Sequence, residues 1–433
     1  MKTHVYTIGT ERKLVPQFVH TYFEEIKYMQ EQSGEETIFV IIDESENSVA
    51  EKNKTYLEAS RIDDVKYIYC DKALQKKLFE GIEQELEDKS LINLLDYQGY
   101  SYGRVMNKQF LVACMMQANY LHRRDSDVKI EKEVFGCPSD IENKYLGKKV
   151  GDFSGISGSD RHSENQIIYL AGSGYSGGSS WKADFGIFLE QDSDLIGEVA
   201  GLFHYGDNLL NEYLKEITEG NISIAGKEKF LPKHNHPKPL CGNLAFYEVF
   251  KYIPCSTVLS TIGSDNLIRG FLKEMDMPIV YHTNYVYHEF GKERDSKDIN
   301  YLLSYWPRMI NKLAYYRLID KLIYQNQKQK NQKILNIEEI DFKNFLNKDL
   351  FSYAYVENVV IECIEEFVHI MERGKNPLFS VMRDRFVQKE YQKQLVDNMY
   401  NGFLGGERLI KNWKEITDIC EQQKFRKLLD NGV

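Results

Sequence analysis

Apolar and polar positions in the first third of the chain follow a repeating order of strand and helix patterns. Residues 5–9 form a short β-rich run, and Pro16 then opens a stretch whose apolar residues recur at helical spacing. Residues 37–42 are nearly all β-branched or aromatic, as in a strand that is buried on both faces of a parallel sheet. A polar helix is predicted over residues 48–60 and a third strand over residues 65–71.

Three successive β-α units predict an α/β fold with an open, mostly parallel sheet and flanking helices, because parallel neighbours need a crossover and a helix is the usual one. Ligands of such sheets bind beyond the carboxyl ends of the strands. The residues at those ends are therefore candidates to hold a nucleotide: Thr7, Gly9, Thr10, Asp43 and Asp71. For each acid, a helix N-cap or a loop position is the alternative.

The later part of the chain continues this pattern and then becomes helical. An apolar helix leads into a short run at residues 120–124, and strands are predicted over residues 167–172 and 279–288. From about residue 298 the apolar spacing is helical throughout. We therefore predict a nucleotide-binding catalytic domain over residues 1–298 and a helical C-terminal region over residues 299–433, which would help form an acceptor site or a dimer contact.

Composition narrows the class of partner. The 433 residues carry a formal net charge of -10 at pH 7, which argues against nucleic acid as the main partner. Seven scattered cysteines without C-x-x-C spacing are typical of reduced core thiols, so neither a disulfide framework nor a zinc site is indicated. No apolar run approaches membrane-spanning length, and residues 1–9 lack an apolar segment after their charges. We expect a protein of the cytoplasm without a transmembrane segment.

The run Asp125-Ser126-Asp127 places two carboxylates on the same side of an extended chain, directly after an apolar segment. Two converging carboxylates form a hard-oxygen site for Mg²⁺ or Mn²⁺, the kind that holds a metal ion against phosphates. A polar turn after a strand is the alternative. There is no G-x-G-x-x-G after the first strand and no G-x-x-x-x-G-K-[ST] anywhere, so dinucleotide dehydrogenases and P-loop enzymes lose their main support.

The sequence G-R-V-M-N-K at residues 103–108, followed by a helix and then L-H-R-R-D-S-D at residues 121–127, resembles the donor-binding half of GT-A glycosyltransferases. The pattern looks like a bacterial, family-2-like branch of that superfamily, and the resemblance covers about residues 1–290. It implies a GT-A fold in which the acidic motif ties a divalent metal to the diphosphate of a nucleotide sugar. It also implies donor contacts from Arg104, Asn107, Arg124 and Ser126. Either arginine could equally be a scaffold partner of the acids.

The same resemblance suggests two further site residues. Asp265 lies in a small-residue turn where inverting GT-A enzymes keep their catalytic base, with a helix N-cap as the alternative. His288, near the end of the predicted strand 279–288, matches the histidine that completes the metal shell in many GT-A enzymes, with His282 as its substitute. Trp181 closes a Gly/Ser-rich loop that begins at Ser173, and we expect it to stack on the sugar of the donor; a flexible hairpin is the alternative.

These features predict a glycosyltransferase that uses Mn²⁺ or Mg²⁺ to transfer a sugar from a nucleoside diphosphate sugar, with UDP-sugars favoured. The acceptor would be a hydroxyl group of a soluble small molecule or peptide, and Asp265 would make the reaction inverting. A retaining glycosyltransferase, an Mg²⁺-dependent nucleotidyltransferase and a binding module without activity are the alternatives.

Overall fold

The computed structural model describes most of the chain. The described residues are 2–97, 101–153, 155–177, 186–189, 193–202, 228–231, 242–263, 267–289, 298–327, 334–340, 342 and 351–430.

A large sheet and a small sheet form the framework. In chain order the strands are β1 (Thr3–Thr10), β2 (Glu36–Asp43), β3 (Tyr67–Cys70), β4 (Tyr120–Asp125), β5 (Val128–Ile130), β6 (Leu170–Gly172), β7 (Tyr175–Gly177), β8 (Lys229–Phe230), β9 (Asn243–Tyr247), β10 (Ile279–Tyr281) and β11 (Val286–His288). The large sheet has the order β3-β2-β1-β4-β9-β6-β10-β8, and the small one has the order β5-β11-β7.

The large sheet is mostly parallel. Its strand order reverses at β1, because β2 and β3 lie on one side of β1 and β4 lies on the other. Strands β1, β2 and β3 are parallel neighbours, and β4 then pairs in parallel with β1 on its other side. Strand β9 is antiparallel to both β4 and β6, and β10 is again parallel to β6. A crevice at such a switch point, outside the carboxyl ends of the strands, is where open α/β sheets bind ligands. Here the switch point lies beside Gly9 and Asp125, which are paired in the register of β1 and β4.

Helices cover the sheet and fill the C-terminal part of the chain. They are α1 (Pro16–Ser33), α2 (Asn47–Ser60), α3 (Lys72–Glu85), α4 (Tyr102–Met115), α5 (Lys132–Phe135), α6 (Pro138–Tyr145), α7 (Gly186–Leu189), α8 (Ser193–Leu202), α9 (Leu267–Glu274), α10 (Ile299–Gln327), α11 (Tyr353–Arg373), α12 (Pro377–Phe386), α13 (Lys389–Cys420) and α14 (Gln423–Asp430). Helix α1 begins at Pro16, whose missing N–H is not needed in the first turn, and ends at Gly34 in the left-handed conformation (φ 63°).

The predicted fold class is confirmed: an open, mostly parallel sheet with flanking helices is joined by a C-terminal helical region. One predicted strand is wrong. Residues 279–288 do not form a single strand but divide into β10 in the large sheet and β11 in the small sheet. The side chain of Asn284, in the connection, donates a hydrogen bond to the carbonyl of Cys137 (2.7 Å). The break separates His282 from His288, which a continuous strand would have placed on one face.

The C-terminal helices share a core with the sheet. One continuous cluster of buried apolar residues extends from Val5 in β1 to Leu429 in α14. Helix α13 is joined to the chain after β9 by hydrogen bonds from Trp413 to the carbonyl of Phe250 (2.9 Å) and from Thr257 to the carbonyl of Gly402 (2.9 Å). The division at residue 298 stays a prediction, and in the described residues it does not coincide with a gap in the core.

The last helix lies at the edge opposite the switch point. Arg426 of α14 contacts Glu36 at the start of β2 (2.5 Å), and Asp430 contacts Lys66, which precedes β3 (2.6 Å). Helix α14 therefore packs near the amino ends of these strands. Among the described residues, no helix combines the length and the apolar character that crossing a membrane would require.

Candidate functional site

Three side chains with metal-binding atoms meet at the switch point. Asp125 ends β4, Asp127 lies in the turn to β5, and His288 ends β11. The small sheet causes this meeting, because His288 pairs with Val128 of β5 across an antiparallel ladder. One ligand atom from each of Asp125, Asp127 and His288 lies within 4.8 Å of the others. The described residues thus contain a possible Asp-Asp-His metal site.

Asp125 is held as a carboxylate by its neighbours. Its Oδ2 accepts a hydrogen bond from the Tyr175 hydroxyl (2.8 Å), and its Oδ1 lies 3.0 Å from the guanidinium of Arg123. Burial by itself would raise the pKa of Asp125, but the positive charge of Arg123, the neighbouring His288 and the Tyr175 hydrogen bond outweigh it and lower that pKa below its usual value. A side chain that is ionised and oriented in this way is ready to bind a cation.

Tyr175 and Gly242 form the wall around Asp125. The Tyr175 hydroxyl accepts a hydrogen bond from the backbone N–H of Gly242 (2.8 Å) while it donates to Asp125. A Cβ atom at position 242 would lie 2.2 Å from Asp125 Oδ2 and 2.3 Å from the Tyr175 hydroxyl. The close approach of this backbone to the acid therefore requires glycine. The Tyr175 ring also packs against the His288 ring, with their centroids 4.8 Å apart.

Asp127 lies between the guanidinium of Arg12 and the ring of His288. Its Oδ2 lies 2.5 Å from Nη2 of Arg12, in the loop between β1 and α1, and 3.4 Å from Nε2 of His288. The backbone of the acidic turn is held by Tyr22 of α1, whose hydroxyl lies 2.6 Å from the carbonyl of Asp125 and 2.5 Å from that of Val128. Burial raises the pKa of Tyr22, so its hydroxyl stays protonated and can donate to these carbonyls.

The opposite face of β4 carries a buried ion-pair network. Successive side chains of a strand point to opposite faces, so Arg123 and Asp125 share the site face while His122 and Arg124 share the other. Arg124 donates to Glu25 (2.8 Å) and to both carboxylate oxygens of Glu142 (3.0 and 2.9 Å), and all three side chains are buried. The structure thus places Arg124 in the scaffold, and it does not bring this predicted donor contact to the acidic cluster.

Two histidines, His122 of β4 and His4 of β1, extend this network toward the amino end of β2. The Nδ1 atom of His122 lies 2.6 Å from Glu142, and its Nε2 atom lies 3.0 Å from Nδ1 of His4. Nε2 of His4 in turn lies 2.6 Å from Glu35, which is partly exposed. Two of the three polar residues of β4 that precede the acids, His122 and Arg124, therefore belong to a buried network, while Arg123 faces the site.

Arg104 and Asn107 of α4 contact the protein itself. Arg104 donates to the carbonyl of Tyr97 (2.5 Å) and lies 3.5 Å from both Glu11 and Glu44. The Asn107 side chain donates to the carbonyl of Cys255 (3.2 Å) and accepts from its N–H (2.6 Å), which ties α4 to the segment after β9. Their roles as donor contacts stay predictions, and the contacts seen here are structural.

Three residues predicted at the ends of the first strands make local contacts, and their roles toward a nucleotide stay predictions. Asp71 is the N-cap of α3, where it accepts from the N–H of Leu74 (2.8 Å). Asp43 is buried and accepts from the side chains of Asn53 (2.8 Å) and Tyr69 (2.5 Å). The Thr10 hydroxyl is engaged with the backbone of Arg12.

Two other candidates on β1 and one in the acidic turn lie close to the switch point. Thr7 is buried within β1. Gly9 allows α4 to approach, because a Cβ atom there would lie 2.4 Å from Cγ1 of Val105. Ser126 is buried in the turn between the two aspartates.

The predicted base and the predicted stacking residue, Asp265 and Trp181, lie outside the described residues. His282 is described and does not belong to the metal cluster. It is fully buried, its backbone carbonyl accepts a hydrogen bond from Ser173 (2.5 Å), and burial lowers the pKa of its side chain to about 4. A neutral, enclosed imidazole in the connection between β10 and β11 is a structural residue.

The donor set of the cluster fits a divalent cation. Two carboxylates and one imidazole converge, and carboxylates are the ligands that Mg²⁺ and Mn²⁺ prefer. Three protein ligands leave further coordination positions for the oxygens of a phosphorylated ligand. The arrangement can therefore hold a metal ion between the end of β4 and a bound phosphate.

The structure adds four residues to the site that the sequence did not single out: Arg12, Arg123, Tyr175 and Gly242. A signal existed for one of them. Strand alternation alone places Arg123, and not Arg124, on the side of Asp125. The other three are brought in by the loop after β1, by β7 and by the residue before β9, so their proximity depends on strand pairing over long sequence separations.

Solved structures resemble this chain at low sequence identity. No protein of curated function matches the sequence. Among solved structures, the chain is similar to mannosyl-3-phosphoglycerate synthase from Rubrobacter xylanophilus, with 13% identity, 76% of each chain covered and a TM-score of 0.35. It is also similar to glucosyl-3-phosphoglycerate synthase from Mycobacterium tuberculosis, solved in complex with phosphoglyceric acid, with 13% identity, 71% of this chain and 78% of that chain covered and a TM-score of 0.34. Similarities this distant carry no activity over to this chain.

A family match is more extensive. Residues 4–346 match a family that is described as a family of unknown function, DUF6271. Apart from Thr3 at the start of β1, the matched segment includes the eleven strands of the described residues and every residue of the acidic cluster and its wall. Since the match covers well over half of the sequence, the chain belongs to the DUF6271 family.

Proposed function

We propose that this protein is a metal-dependent glycosyltransferase that transfers a sugar from a nucleoside diphosphate sugar to a hydroxyl group of an acceptor. One observation carries the proposal: Asp125, Asp127 and His288 converge at the switch point of a mostly parallel sheet. Open α/β sheets bind their ligands at this place, and two carboxylates with an imidazole are suited to a cation that faces phosphate.

The residues around the cluster have distinct roles in this proposal. Tyr175 and Arg123 keep Asp125 ionised and oriented, and Tyr22 holds the backbone of the acidic turn. A divalent ion bound here would supply positive charge to the diphosphate as the bond between sugar and phosphate oxygen breaks. The protein contributes a fixed, preorganised arrangement of ligands, so little reorganisation is needed during the reaction.

We favour Mn²⁺ over Mg²⁺ as the ion and a UDP-sugar as the donor. One of the three ligand side chains is an imidazole, and Mg²⁺ is usually bound through carboxylates, water and phosphate. Arg104, Asn107, Ser126 and Trp181 stay proposed donor contacts in this scheme.

The acceptor side of the proposal rests on Asp265. As a general base it would take the proton of the acceptor hydroxyl during attack on the anomeric carbon, which inverts the configuration at that carbon. A product whose anomeric configuration equals that of the donor would identify a retaining enzyme and remove this role.

The test is a panel of UDP- and GDP-sugars, read by thermal shift with and without Mn²⁺. A donor that binds only the folded protein stabilises it by about 2.7 kcal/mol when its free concentration is about 100 times its Kd. We expect one donor to raise Tm only when Mn²⁺ is present, and Asp127→Asn to abolish the shift. Absence of Mn²⁺-dependent binding by any nucleotide sugar would refute the proposal. Release of pyrophosphate from a nucleoside triphosphate would identify a nucleotidyltransferase instead.

A further inference from the structure

The acidic pair already faces two arginines, and these differ in how firmly they are held. Arg123 lies 3.0 Å from Asp125, and its side chain is only 7% exposed. Arg12 lies 2.5 Å from Asp127, and its side chain is 45% exposed. The buried arginine is a fixed neighbour of Asp125, whereas the half-exposed one has room to move away from Asp127.

Arg12 contacts the carboxylate oxygen of Asp127 that also lies close to His288. Its Nη2 contacts Oδ2 of Asp127, and this oxygen also lies 3.4 Å from Nε2 of His288. An ion held by Asp127 and His288 would approach that oxygen to about 2.0–2.6 Å. A guanidinium at its present distance would then face a divalent charge at short range, which is strongly repulsive. Binding of the ion therefore favours departure of the Arg12 side chain from Asp127.

The backbone of Arg12 is held by hydrogen bonds that do not involve its side chain. The N–H of Arg12 donates to the Thr10 hydroxyl (3.2 Å), and its carbonyl accepts from Thr10 (2.8 Å) and from Asn53 (3.0 Å). These bonds fix the loop at the carboxyl end of β1. A long side chain on such a fixed base remains at the switch point, where a phosphate group beside the ion would lie.

We propose that Arg12 is a displaceable counter-ion: it neutralises Asp127 while the metal site is vacant, yields that carboxylate to a divalent cation, and then contacts the phosphates of a nucleoside diphosphate. This inference rests on the proposed function, because it assumes that Asp127 binds a metal ion. It assigns opposite effects to one side chain: Arg12 weakens metal binding and strengthens nucleotide binding.

The experiment titrates Mn²⁺ alone by calorimetry into the wild type, Arg12→Gln and Arg408→Gln, and then titrates UDP at saturating Mn²⁺. Arg408 is a matched control, because its side chain is 47% exposed and lies 2.7 Å from Asp88. We expect Arg12→Gln to lower the Kd for Mn²⁺ about 2- to 5-fold, as loss of one exposed ion-pair competitor allows. It should raise the Kd for UDP about 10-fold, the size of one charge-assisted hydrogen bond. Arg408→Gln should change neither value.

A second variant, Arg12→Lys, keeps the charge and should lie between the wild type and Arg12→Gln in both titrations. A Kd for Mn²⁺ that is unchanged or raised in Arg12→Gln overturns the displacement, and an unchanged Kd for UDP overturns the phosphate contact. If Mn²⁺ binding is lost in Asp127→Asn but is indifferent to Arg12→Gln, this inference fails and the proposed function stands. If the wild type itself does not bind Mn²⁺, both fail.

Discussion

Arg124 offers the sharpest test of how the acidic strand is built. Its side chain lies between Glu25 and Glu142, and all three are buried. Replacement by methionine preserves much of the side-chain volume but leaves two buried carboxylates without their cation. Removal of one partner from a buried ion pair typically costs about 3–5 kcal/mol. We expect Arg124→Met to lower the free energy of unfolding by that amount, measured by urea denaturation at pH 7.5.

The pH dependence of this loss has a definite sign. Burial by itself would raise the pKa of Glu142, but Arg124 and His122 lower it below its ordinary value of 4.5. In the wild type the stabilisation from Glu142 is therefore present above pH 4.5 and is lost as the pH falls through the lowered pKa. In Arg124→Met burial is no longer opposed by the arginine, so the folded protein binds protons more readily than the unfolded chain. The difference in stability between variant and wild type should shrink from pH 7.5 to pH 5.

A second substitution makes the reasoning refutable. Glu142→Gln should destabilise the wild type, because it removes a charge that pairs with Arg124, but it should stabilise Arg124→Met, because it removes an unpaired buried charge. The control Arg408→Met, in an exposed pair with Asp88, should cost less than about 1 kcal/mol. If Arg124→Met unfolds like the wild type while its affinity for UDP falls, Arg124 is a donor ligand and the scaffold assignment is wrong.

Three further predictions follow from the geometry. Gly242→Ala should abolish Mn²⁺ binding measured by calorimetry, because its Cβ would lie 2.2 Å from Asp125 Oδ2, whereas Gly270→Ala, with nothing within 4 Å of its Cβ, should leave binding intact. Tyr175→Phe removes a hydrogen bond that lowers the pKa of Asp125, so protons should compete better with the metal, and the loss of Mn²⁺ binding on acidification should begin at a higher pH in the variant than in the wild type. Asp71→Ala removes the N-cap of α3 and should lower the free energy of unfolding by about 1 kcal/mol without changing the affinity for UDP. Retained Mn²⁺ binding in the first case, a pH-independent effect in the second or weakened UDP binding in the third would each contradict the corresponding assignment.

Local sequence patterns were sufficient for the β-α framework. The apolar run at residues 37–42 became a strand buried along its length, and Pro16 began a helix as its fixed φ predicts. The acidic pair was recognisable for the same reason, since residues two apart in an extended chain face the same side. The same alternation was also a signal for Arg123, but it went unused because the resemblance drew attention to Arg124.

Contacts between distant segments required the tertiary structure. His288 reaches Asp127 only because the predicted strand 279–288 breaks and its second part joins β5 in the small sheet. The local pattern marks this break only weakly, through Asn284, because asparagine is depleted in strands but a single residue does not end one by itself. Tyr175 and Gly242 are brought to Asp125 by β7 and β9, which are separated from β4 by long stretches of chain.

The sequence by itself determined that acids would follow a strand at the ligand-binding edge of an α/β sheet, because backbone geometry and burial act on neighbouring residues. The tertiary structure decided which charges meet those acids. It directs Arg124 into a buried network with Glu25 and Glu142, and it places Arg12 on the oxygen of Asp127 that faces His288. The physical reason is that electrostatic partners are selected by distances of a few ångströms, which strand pairing and loop closure set and which sequence spacing does not contain.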